Sequence, residues 1–380
     1  MDFSLSDDRS AIREMAEAFS AEHMAPFAVE WDENRHFPVE TLRAAAALGM
    51  AGIYVGEEHG GSGLGRFEAV LIFEALSKGC PTVAAFLSIH NMCAWMVDAY
   101  GDADQRARWV PALARMEGIA SYCLTEAASG SDAAALRTRA RREGDHYVLD
   151  GEKQFISGAG ASDLYVVMAR TGGEGPDGIS AILVEKDTPG LSFGANERKM
   201  GWNAQPTRAV RFDGARVPVE NLVGTEGQGF RIAMAGLDGG RLNIAACSLG
   251  GAQGALDRTL AYMADRRAFG RVLTDFQALQ FRLADMATDL EVSRAFLRHA
   301  ASALDAKAPE ATKLCAMAKR HVTDAAFDVA NDALQLHGGY GYLTEYGIEK
   351  IVRDLRVHQI LEGTNEIMRL IVARHLIGGR

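Results

Sequence analysis

The sequence predicts an α+β protein with three parts: an N-terminal helical domain, a central antiparallel β domain and a C-terminal antiparallel four-helix bundle. The hydrophobic pattern changes twice along the chain, from helical spacing to short β-rich runs and back to helical spacing. The length of 380 residues is enough for two or three domains with a sizeable core. The predicted domains are residues 1–118, 119–225 and 226–380.

Apolar residues recur at helical spacing in the first domain, in residues 12–19 and again in residues 42–48. Residues 60–65 are rich in glycine but do not match G-x-G-x-x-G in any register, so a connecting loop is predicted there. Residues 79–97 contain no Asp, Glu, Lys or Arg. Because this stretch includes Pro81 and several polar residues, we predict a buried helix rather than a membrane span.

Short runs rich in β-branched and aromatic residues characterise the second domain. These runs are residues 147–149, 164–168, 179–184 and 210–212. Turn-forming pairs such as Asp150-Gly151, Gly172-Gly173 and Asp213-Gly214 separate them, which is typical of antiparallel strands. The helical pattern then returns with few breakers in residues 230–266, 276–304 and 309–336, and helices of this length pack as an antiparallel bundle.

The composition excludes several classes of protein. Forty Lys and Arg against fifty Asp and Glu give a formal charge of −10, which argues against a nucleic-acid-binding role. The five cysteines are scattered and form no C-x-x-C pair, so neither a disulfide framework nor a zinc module is predicted, and no metal site is assigned. The chain begins with an acidic segment that has no secretory or transit pattern, so a cytoplasmic location is expected.

Three segments carry residues suited to chemistry. Residues 121–132 combine small and hydroxyl side chains that either cradle a flat polar ring or a pyrophosphate, or form only a serine-rich turn. Residues 335–342 place glycines directly after a long helix, which is also the pattern of a helix C-cap.

The third segment, residues 360–369, contains Glu362 between two apolar residues and a glycine, ahead of a candidate helix N-cap at Thr364. A carboxylate held against apolar neighbours loses solvation, so its pKa rises and it can act as a general base. Taken alone, a Glu near a helix start more often complements the helix dipole. The order in which the three segments occur is more specific than any one of them.

Together these segments resemble the successive signatures of the acyl-CoA dehydrogenases, over essentially the whole chain. The motifs are Leu124-Thr125-Glu126 with Gly130-Ser131-Asp132, Phe155-Ile156-Ser157-Gly158, Arg266-Arg267-Ala268-Phe269-Gly270, Gln335-Leu336-His337-Gly338-Gly339 and Glu362-Gly363-Thr364-Asn365-Glu366. Residues 158–160, 170–173, 201–210 and 239–241 resemble more narrowly the branch that oxidises isobutyryl-CoA in valine breakdown. The phenylalanine at position 155, where most of the family has Trp, also fits that branch.

The resemblance implies that FAD lies between the β domain and the bundle. The residues it assigns to the cofactor are Tyr122, Cys123, Leu124, Thr125, Ser131, Phe155, Ile156, Ser157, Arg266, Phe276, Gln277, Gln335, Leu336, His337, Gly338, Gly339, Thr364, Asn365 and Glu366. Of these, Arg266, Phe276, Gln277 and residues 335–339 would contact the cofactor of a neighbouring subunit. The expected assembly is therefore a homotetramer built as a dimer of dimers.

The resemblance also implies the mechanism. Glu362 would remove the pro-R α-proton of the acyl-CoA while the β-carbon passes hydride to flavin N5. The backbone N–H of Glu362 and a ribityl hydroxyl would stabilise charge on the thioester oxygen. The residues it assigns to the substrate are Ser131, Asp238, Gly239, Gly240, Arg241, Gly363 and Arg374. The expected reaction converts isobutyryl-CoA to methacrylyl-CoA, with an electron-transferring flavoprotein as acceptor.

Two details qualify this expectation. Some members of the family carry their base at the position of Gly240 and have Gly where this chain has Glu362, so Glu362 is the predicted base here. Ala127 and Ala128 replace the usual Pro and Gly after Glu126, which predicts a less rigid loop.

Alternative functions remain at this stage. Butyryl-CoA or 2-methylbutyryl-CoA could be the preferred substrate, because one methylene is discriminated by only about 1–3 kcal/mol. A catalytically silent flavin-binding assembly protein is the alternative from another class, and retention of Glu362 argues against it. An acyl-CoA oxidase is disfavoured by the chain length.

Overall fold

A computed structural model describes residues 4–378 of the protein. The N-terminal region of the chain is helical. Helices α1–α6 occupy Asp7–His23, Ala28–Glu33, Val39–Ala47, Arg66–Gly79, Pro81–Tyr100 and Ala103–Ala114. The predicted buried helix is present as α5, which starts with Pro81 at its first turn, where a missing N–H costs no hydrogen bond. In the part of the chain that the structure describes, no helix combines the length and apolarity needed to cross a membrane.

The central region is a mixed sheet of eight strands. Strands β1–β8 occupy Ala120–Cys123, Arg139–Glu143, His146–Ser157, Leu164–Arg170, Ile179–Glu185, Leu191–Phe193, Thr207–Pro218 and Leu222–Val223. Their order is β6-β7-β3-β2-β4-β5-β8, with β1 beside β4. All four predicted β-rich runs lie within these strands.

The sheet differs from the predicted antiparallel arrangement at two pairings. Strand β1 lies parallel to β4, and β2 pairs parallel with β4 between Arg139 and Arg170. Parallel neighbours need a long connection, and the β2–β3 hairpin supplies it between β1 and β4. Periodicity alone cannot show this because it does not identify which strands pair.

The C-terminal region consists of long helices followed by two short ones. Helices α7–α11 occupy Gly229–Asp265, Gln277–Asp305, Ala311–His337, Ile348–Arg356 and Asn365–Leu376, and a small hairpin of β9 (Arg267–Ala268) and β10 (Arg271–Val272) joins α7 to α8. Helix α7 contacts α8 and α9 of the same region and also α4 and α5 of the N-terminal region. A Cβ at Gly250 would lie 2.0 Å from the Glu74 carbonyl oxygen, so this glycine allows α4 and α7 to approach closely. The bundle therefore shares its core with the N-terminal helices.

The carboxylate of Asp354, on α10, joins all three regions. It accepts hydrogen bonds from Thr82 Oγ1 on α5 at 2.8 Å, from the Trp202 N–H in the loop before β7 at 2.7 Å, and from Lys350 Nζ at 2.6 Å. Asp354 and Lys350 are both buried. Burial opposes the charge of Lys350, but the neighbouring Asp354 outweighs it and raises the pKa of the ammonium. The short segment that follows α10 carries Glu362, so this contact positions it.

We expect Asp354→Asn to destabilise the fold, because it leaves the ammonium of Lys350 buried without its counter-charge. The free energy of unfolding, measured by urea denaturation followed by circular dichroism, should fall by about 3–5 kcal/mol. Asp285→Asn is the matched control, since Asp285 is exposed on α8 and has no hydrogen bond or ion pair within residues 4–378. The control should change stability by less than about 0.5 kcal/mol. Equal stabilities of the two variants would contradict this role for Asp354.

Candidate active site

A cavity of about 610 Å³ lies where the sheet meets α7, α11 and the turn between α10 and α11. Its wall includes many of the residues assigned from the sequence to cofactor or substrate. These are Tyr122, Leu124, Thr125, Ser131, Phe155, Ile156, Ser157, Arg241, Glu362, Gly363 and Arg374. Residues distant in sequence are therefore brought together in one place.

Glu362 lies in the wall of this cavity in an unusual backbone conformation. Its φ is +56° and that of Gly363 is +89°, so two consecutive residues are left-handed, which is costly for a Glu. Its side chain has one buried oxygen, Oε2, without a hydrogen-bond partner in the described chain. Burial raises the pKa of Glu362 to about 7, although the charges of Arg241 and Lys319 act in the opposite direction. A carboxylate in this state is suited to accept a proton near neutral pH.

Arg241 links α7 to the turn that carries Glu362. Its Nε donates to the Glu362 carbonyl oxygen at 3.3 Å, and its Nη1 donates to Asp238 Oδ1 at 2.7 Å. The second oxygen of Asp238 accepts from Thr312 Oγ1 at 2.7 Å. Both oxygens of Asp238 are thus engaged within the chain, and Asp238 lies behind Arg241 rather than in the cavity wall.

The glycines at 239 and 240 leave room for two charged side chains. A Cβ at Gly240 would lie 2.6 Å from Glu362 Oε2, and a Cβ at Gly239 would lie 2.3 Å from Arg66 Nη1. Positions 240, on α7, and 362, in the turn between α10 and α11, therefore lie against each other. This proximity explains how a base at either position could reach one substrate atom.

The loop after β1 is held by Glu126, despite the alanines at 127 and 128. The Glu126 carboxylate accepts from the N–H groups of Arg137 and Thr138 at 2.6 and 2.8 Å, and from the buried Lys153 Nζ at 2.8 Å. Burial acts to raise the pKa of Glu126, but the charge of Lys153 and these hydrogen bonds outweigh it and lower the pKa. These bonds restrain the loop where the sequence predicted a loss of rigidity.

Two aromatic residues in the cavity wall are unusual. Phe155 has a φ of +60° and its side chain is 63% exposed, so a large apolar surface faces the opening. The hydroxyl of Tyr122 is buried and has no hydrogen-bond partner in the described chain. Such a surface with adjacent hydroxyl groups suits a flat ring with polar edges.

A second cavity, of about 580 Å³, contains another group of the predicted cofactor residues. Arg266 and residues 335–339 line it, and Phe276 and Gln277 lie next to it at the start of α8. Gly338 has a φ of +60° and is the C-cap of α9. The same glycine also lines the cavity, so both interpretations of this segment apply. The two groups of predicted cofactor residues thus lie in separate cavities of one chain.

Besides Phe276 and Gln277, four predicted cofactor residues are in neither cavity wall. Cys123 is buried in the core of the sheet. Thr364 caps α11 by accepting a hydrogen bond from the Ile367 N–H at 3.3 Å, and Asn365 is buried beneath this turn. Glu366 is exposed and faces Arg369.

Sequence reasoning missed part of the apolar wall of the first cavity. Phe230, Met234 and Leu237 precede Arg241 on α7, and Ile367, Leu370 and Ile371 precede Arg374 on α11. The first set recurs at intervals of three or four residues and the second occupies positions i, i+3, i+4 and i+7, so each forms one helix face. This spacing relative to an assigned arginine could have identified them. Ile89 and Met92, within the predicted buried helix, complete the wall.

Comparison with known proteins places this arrangement in a family. Three family models match the chain in succession: the acyl-CoA dehydrogenase N-terminal domain at residues 6–117, its middle domain at 121–215 and its C-terminal domain at 227–377. The chain belongs to the acyl-CoA dehydrogenase family. It is an oxidoreductase that acts on an acyl-CoA.

Several named proteins are similar to this chain over nearly its full length. The chain is 54% identical to "Isobutyryl-CoA dehydrogenase, mitochondrial" of Bos taurus and 56% identical to the protein of that name in Dictyostelium discoideum, each over 98% of this chain and 90% of the relative. Among solved structures, butyryl-CoA dehydrogenase from Megasphaera elsdenii superposes with a TM-score of 0.96 at 36% identity, covering 99% of this chain and 100% of that one.

The raised pKa of Glu362 predicts a cost to stability at high pH. The ordinary pKa of 4.5 rises to about 7 on folding, so the folded protein binds this proton more tightly than the unfolded chain does. The destabilisation is therefore absent below about pH 4.5, grows up to about pH 7 and is constant above it. Glu362→Gln cannot ionise and should be more stable than the parent by about 2–3 kcal/mol at pH 8.5.

Urea denaturation between pH 4.5 and pH 8.5 measures this difference. Glu174→Gln, at an exposed position in the β domain, is the control and should track the parent protein throughout. A Glu362→Gln protein whose stability relative to the parent does not depend on pH would refute the raised pKa.

Proposed function

We propose that this protein oxidises the Cα–Cβ bond of a short branched acyl-CoA, with isobutyryl-CoA as its preferred substrate and methacrylyl-CoA as its product. Glu362 is the base that removes the α-proton. The observation that carries this proposal is the state of Glu362: its Oε2 is buried without a partner in the wall of the main cavity, and burial raises its pKa to about 7. A structural carboxylate would instead be paired, as Glu126 and Asp354 are.

FAD is the cofactor we assign to the cavities, and the residues present fit it. The exposed ring of Phe155 and the unpartnered hydroxyl of Tyr122 offer a face and a polar contact for a flat ring system. Thr125, Ser131 and Ser157 add hydroxyl groups in the same wall. When bound, FAD supplies the acceptor for the hydride that leaves the β-carbon. Arg266 and residues 335–339 in the second cavity would hold the cofactor of a neighbouring subunit.

The chain's own residues have separate roles in binding and orienting the substrate. The backbone N–H of Glu362 has no acceptor within residues 4–378, so it is free to donate to the thioester oxygen, where negative charge develops as the α-proton leaves. Arg241 holds the carbonyl of the same residue, which restrains the turn on the C-terminal side of this N–H. The apolar side chains of α7 and α11 exclude water, which strengthens this hydrogen bond.

The choice of a branched substrate rests on the relatives. The proteins named isobutyryl-CoA dehydrogenase share 54% and 56% identity with this chain, against 36% for the butyryl-CoA dehydrogenase structure. The inner wall, formed by aliphatic and methionine side chains such as Ile89, Met92 and Leu237, suits a small apolar acyl group. This activity would serve valine catabolism.

Several further assignments belong to this proposal. An electron-transferring flavoprotein is the proposed acceptor. A dimer of dimers is the proposed assembly, and the position of Arg266 and residues 335–339 in a cavity separate from that of Glu362 supports a cofactor shared between subunits. A cytoplasmic location remains a prediction. The two relatives named isobutyryl-CoA dehydrogenase are both described as mitochondrial in their names.

We expect Glu362→Gln to retain FAD and to lose bleaching of the flavin absorbance when isobutyryl-CoA is added. The amide keeps the size of the side chain but cannot accept the α-proton, so the rate of reduction should fall by a factor of about 10² or more. Anaerobic stopped-flow absorbance measures it, with Glu174→Gln as the control of unchanged rate. Bleaching at the parental rate would refute Glu362 as the base.

The substrate assignment predicts a ranking among isobutyryl-CoA, 2-methylbutyryl-CoA and butyryl-CoA. We expect isobutyryl-CoA to give the highest kcat/KM in a steady-state assay with an artificial electron acceptor. A tenfold advantage for butyryl-CoA, equivalent to about 1.4 kcal/mol in transition-state binding, would refute the branched-chain assignment while leaving the reaction type intact.

A further inference from the structure

Lys319, on α9, is a buried lysine without an acidic partner in contact. Its Nζ donates to the Gly363 carbonyl oxygen at 2.8 Å and to Asn365 Oδ1 at 2.9 Å. No carboxylate oxygen within residues 4–378 forms an ion pair with it, whereas the other two lysines that are fully or almost fully buried, Lys153 and Lys350, pair with Glu126 and Asp354. Burying an ammonium against neutral oxygens is costly. Such a cost points to a role beyond stability.

We propose that Lys319 is a positioning residue for Glu362. Its ammonium holds the turn of Gly363 and Asn365 against α9, which fixes the Glu362 carboxylate in the cavity, and its positive charge favours the ionised carboxylate. This proposal rests on the proposed role of Glu362 as the base.

The backbone of the turn shows why it needs holding. Glu362 and Gly363 both have a positive φ, and for Glu362, which is not a glycine, this conformation persists only where the surroundings enforce it. Two successive carbonyl groups are each held by a cation from a different helix, that of Glu362 by Arg241 on α7 and that of Gly363 by Lys319 on α9. Without Lys319, the Arg241 contact at 3.3 Å would be the one hydrogen bond left in the described chain from a bundle side chain to the carbonyl groups of Glu362 and Gly363.

Asn365 extends the same restraint. Its side-chain amide donates to Asp324 Oδ1 at 2.6 Å and to Thr323 Oγ1 at 3.0 Å, while its oxygen accepts from Lys319. All three partners lie on α9. The start of α11 is thereby attached to α9 through a buried polar cluster whose only ammonium is Lys319 in the described chain.

The charged groups around Glu362 and Lys319 determine how the ionisation of one affects that of the other. Glu362 faces Arg241 and Lys319, with the neutral Cys93 and Tyr122 nearby. The groups that face Lys319 are Glu362, Arg241, Asp324, Glu366 and the buried, neutral His358. Burial lowers the pKa of Lys319 to about 7, and the charge of Glu362 opposes that effect. The two groups therefore titrate as a coupled pair, and removal of the ammonium raises the pKa of Glu362.

The test compares three variants of the FAD-loaded enzyme. Lys319→Met removes both the charge and the hydrogen bonds, whereas Lys319→Gln removes the charge and retains an N–H donor. Lys313→Met is the matched control, since Lys313 lies on the same helix and has no hydrogen bond or ion pair in the part of the chain described. The rate of flavin bleaching by isobutyryl-CoA is measured from pH 5.5 to pH 9, and amide hydrogen exchange of residues 360–367 is followed by mass spectrometry.

In the parent enzyme the rate should rise with pH as Glu362 ionises. Both Lys319 variants should move this rise to higher pH by roughly one unit. Lys319→Met should also lose about tenfold or more of the rate at high pH, because a misplaced base cannot be restored by ionisation. Exchange of residues 360–367 should accelerate by about tenfold in Lys319→Met, with the Lys313→Met profile and exchange unchanged.

The outcomes separate the two proposals. A parent enzyme that shows no bleaching with any of the three acyl-CoA esters refutes the proposed function, irrespective of Lys319. A parent enzyme that bleaches, together with Lys319→Gln that folds and keeps the parental pH profile, overturns the role of Lys319, even if its melting temperature falls. If Lys319→Met does not fold, the pH profile and exchange of Lys319→Gln decide.

Discussion

The architecture depends on one buried carboxylate. Asp354 receives donors from α5, from the loop before β7 and from Lys350 one helical turn away, so a single side chain ties the N-terminal helices, the sheet and the bundle together. A buried carboxylate is tolerated only with such complete pairing. Because the segment after α10 leads directly to Glu362, this contact positions the reactive turn relative to the sheet that forms the opposite wall of the cavity.

Three carboxylates, two of them buried and the third with one buried oxygen, show how environment determines role. Asp354 and Glu126 are each paired with a buried lysine and have their hydrogen bonds satisfied, which suits a structural function. Glu362 has one oxygen without a partner and cations that contact its backbone and its neighbour rather than its carboxylate. The same side-chain chemistry is thus paired within the fold at two positions and left with an unpaired oxygen in the cavity wall at the third.

Most of the helices and strands could be predicted from the spacing of apolar residues and from turn-forming pairs in the sequence. The helical periods located α7, α8 and α9 within one or two residues of their ends, and the turn pairs separated the main strands. The parallel pairing of β1 with β4 did not follow, because pairing depends on which strands meet after the chain has crossed over. The cavity wall formed by α7 and α11 could not be predicted either. The spacing of its apolar residues is visible in the sequence, but the direction in which those helix faces point is not. The substitution of alanines after Glu126 predicted a looser loop, yet long-range bonds to Lys153 and residues 137–138 restrain it.

The sequence by itself determined the order of helices and strands and the motifs that resemble one enzyme family, and it led to the prediction of Glu362, rather than a residue at position 240, as the base. These are local properties, set by periodicity, turn chemistry and residue identity over a few neighbours. Only the tertiary structure decided that Glu362 is desolvated, that Gly240 leaves space for its carboxylate, and that Arg241 and Lys319 hold its turn. The reason is that solvation and charge pairing depend on groups up to 121 positions away in the chain, which meet only when the helices pack.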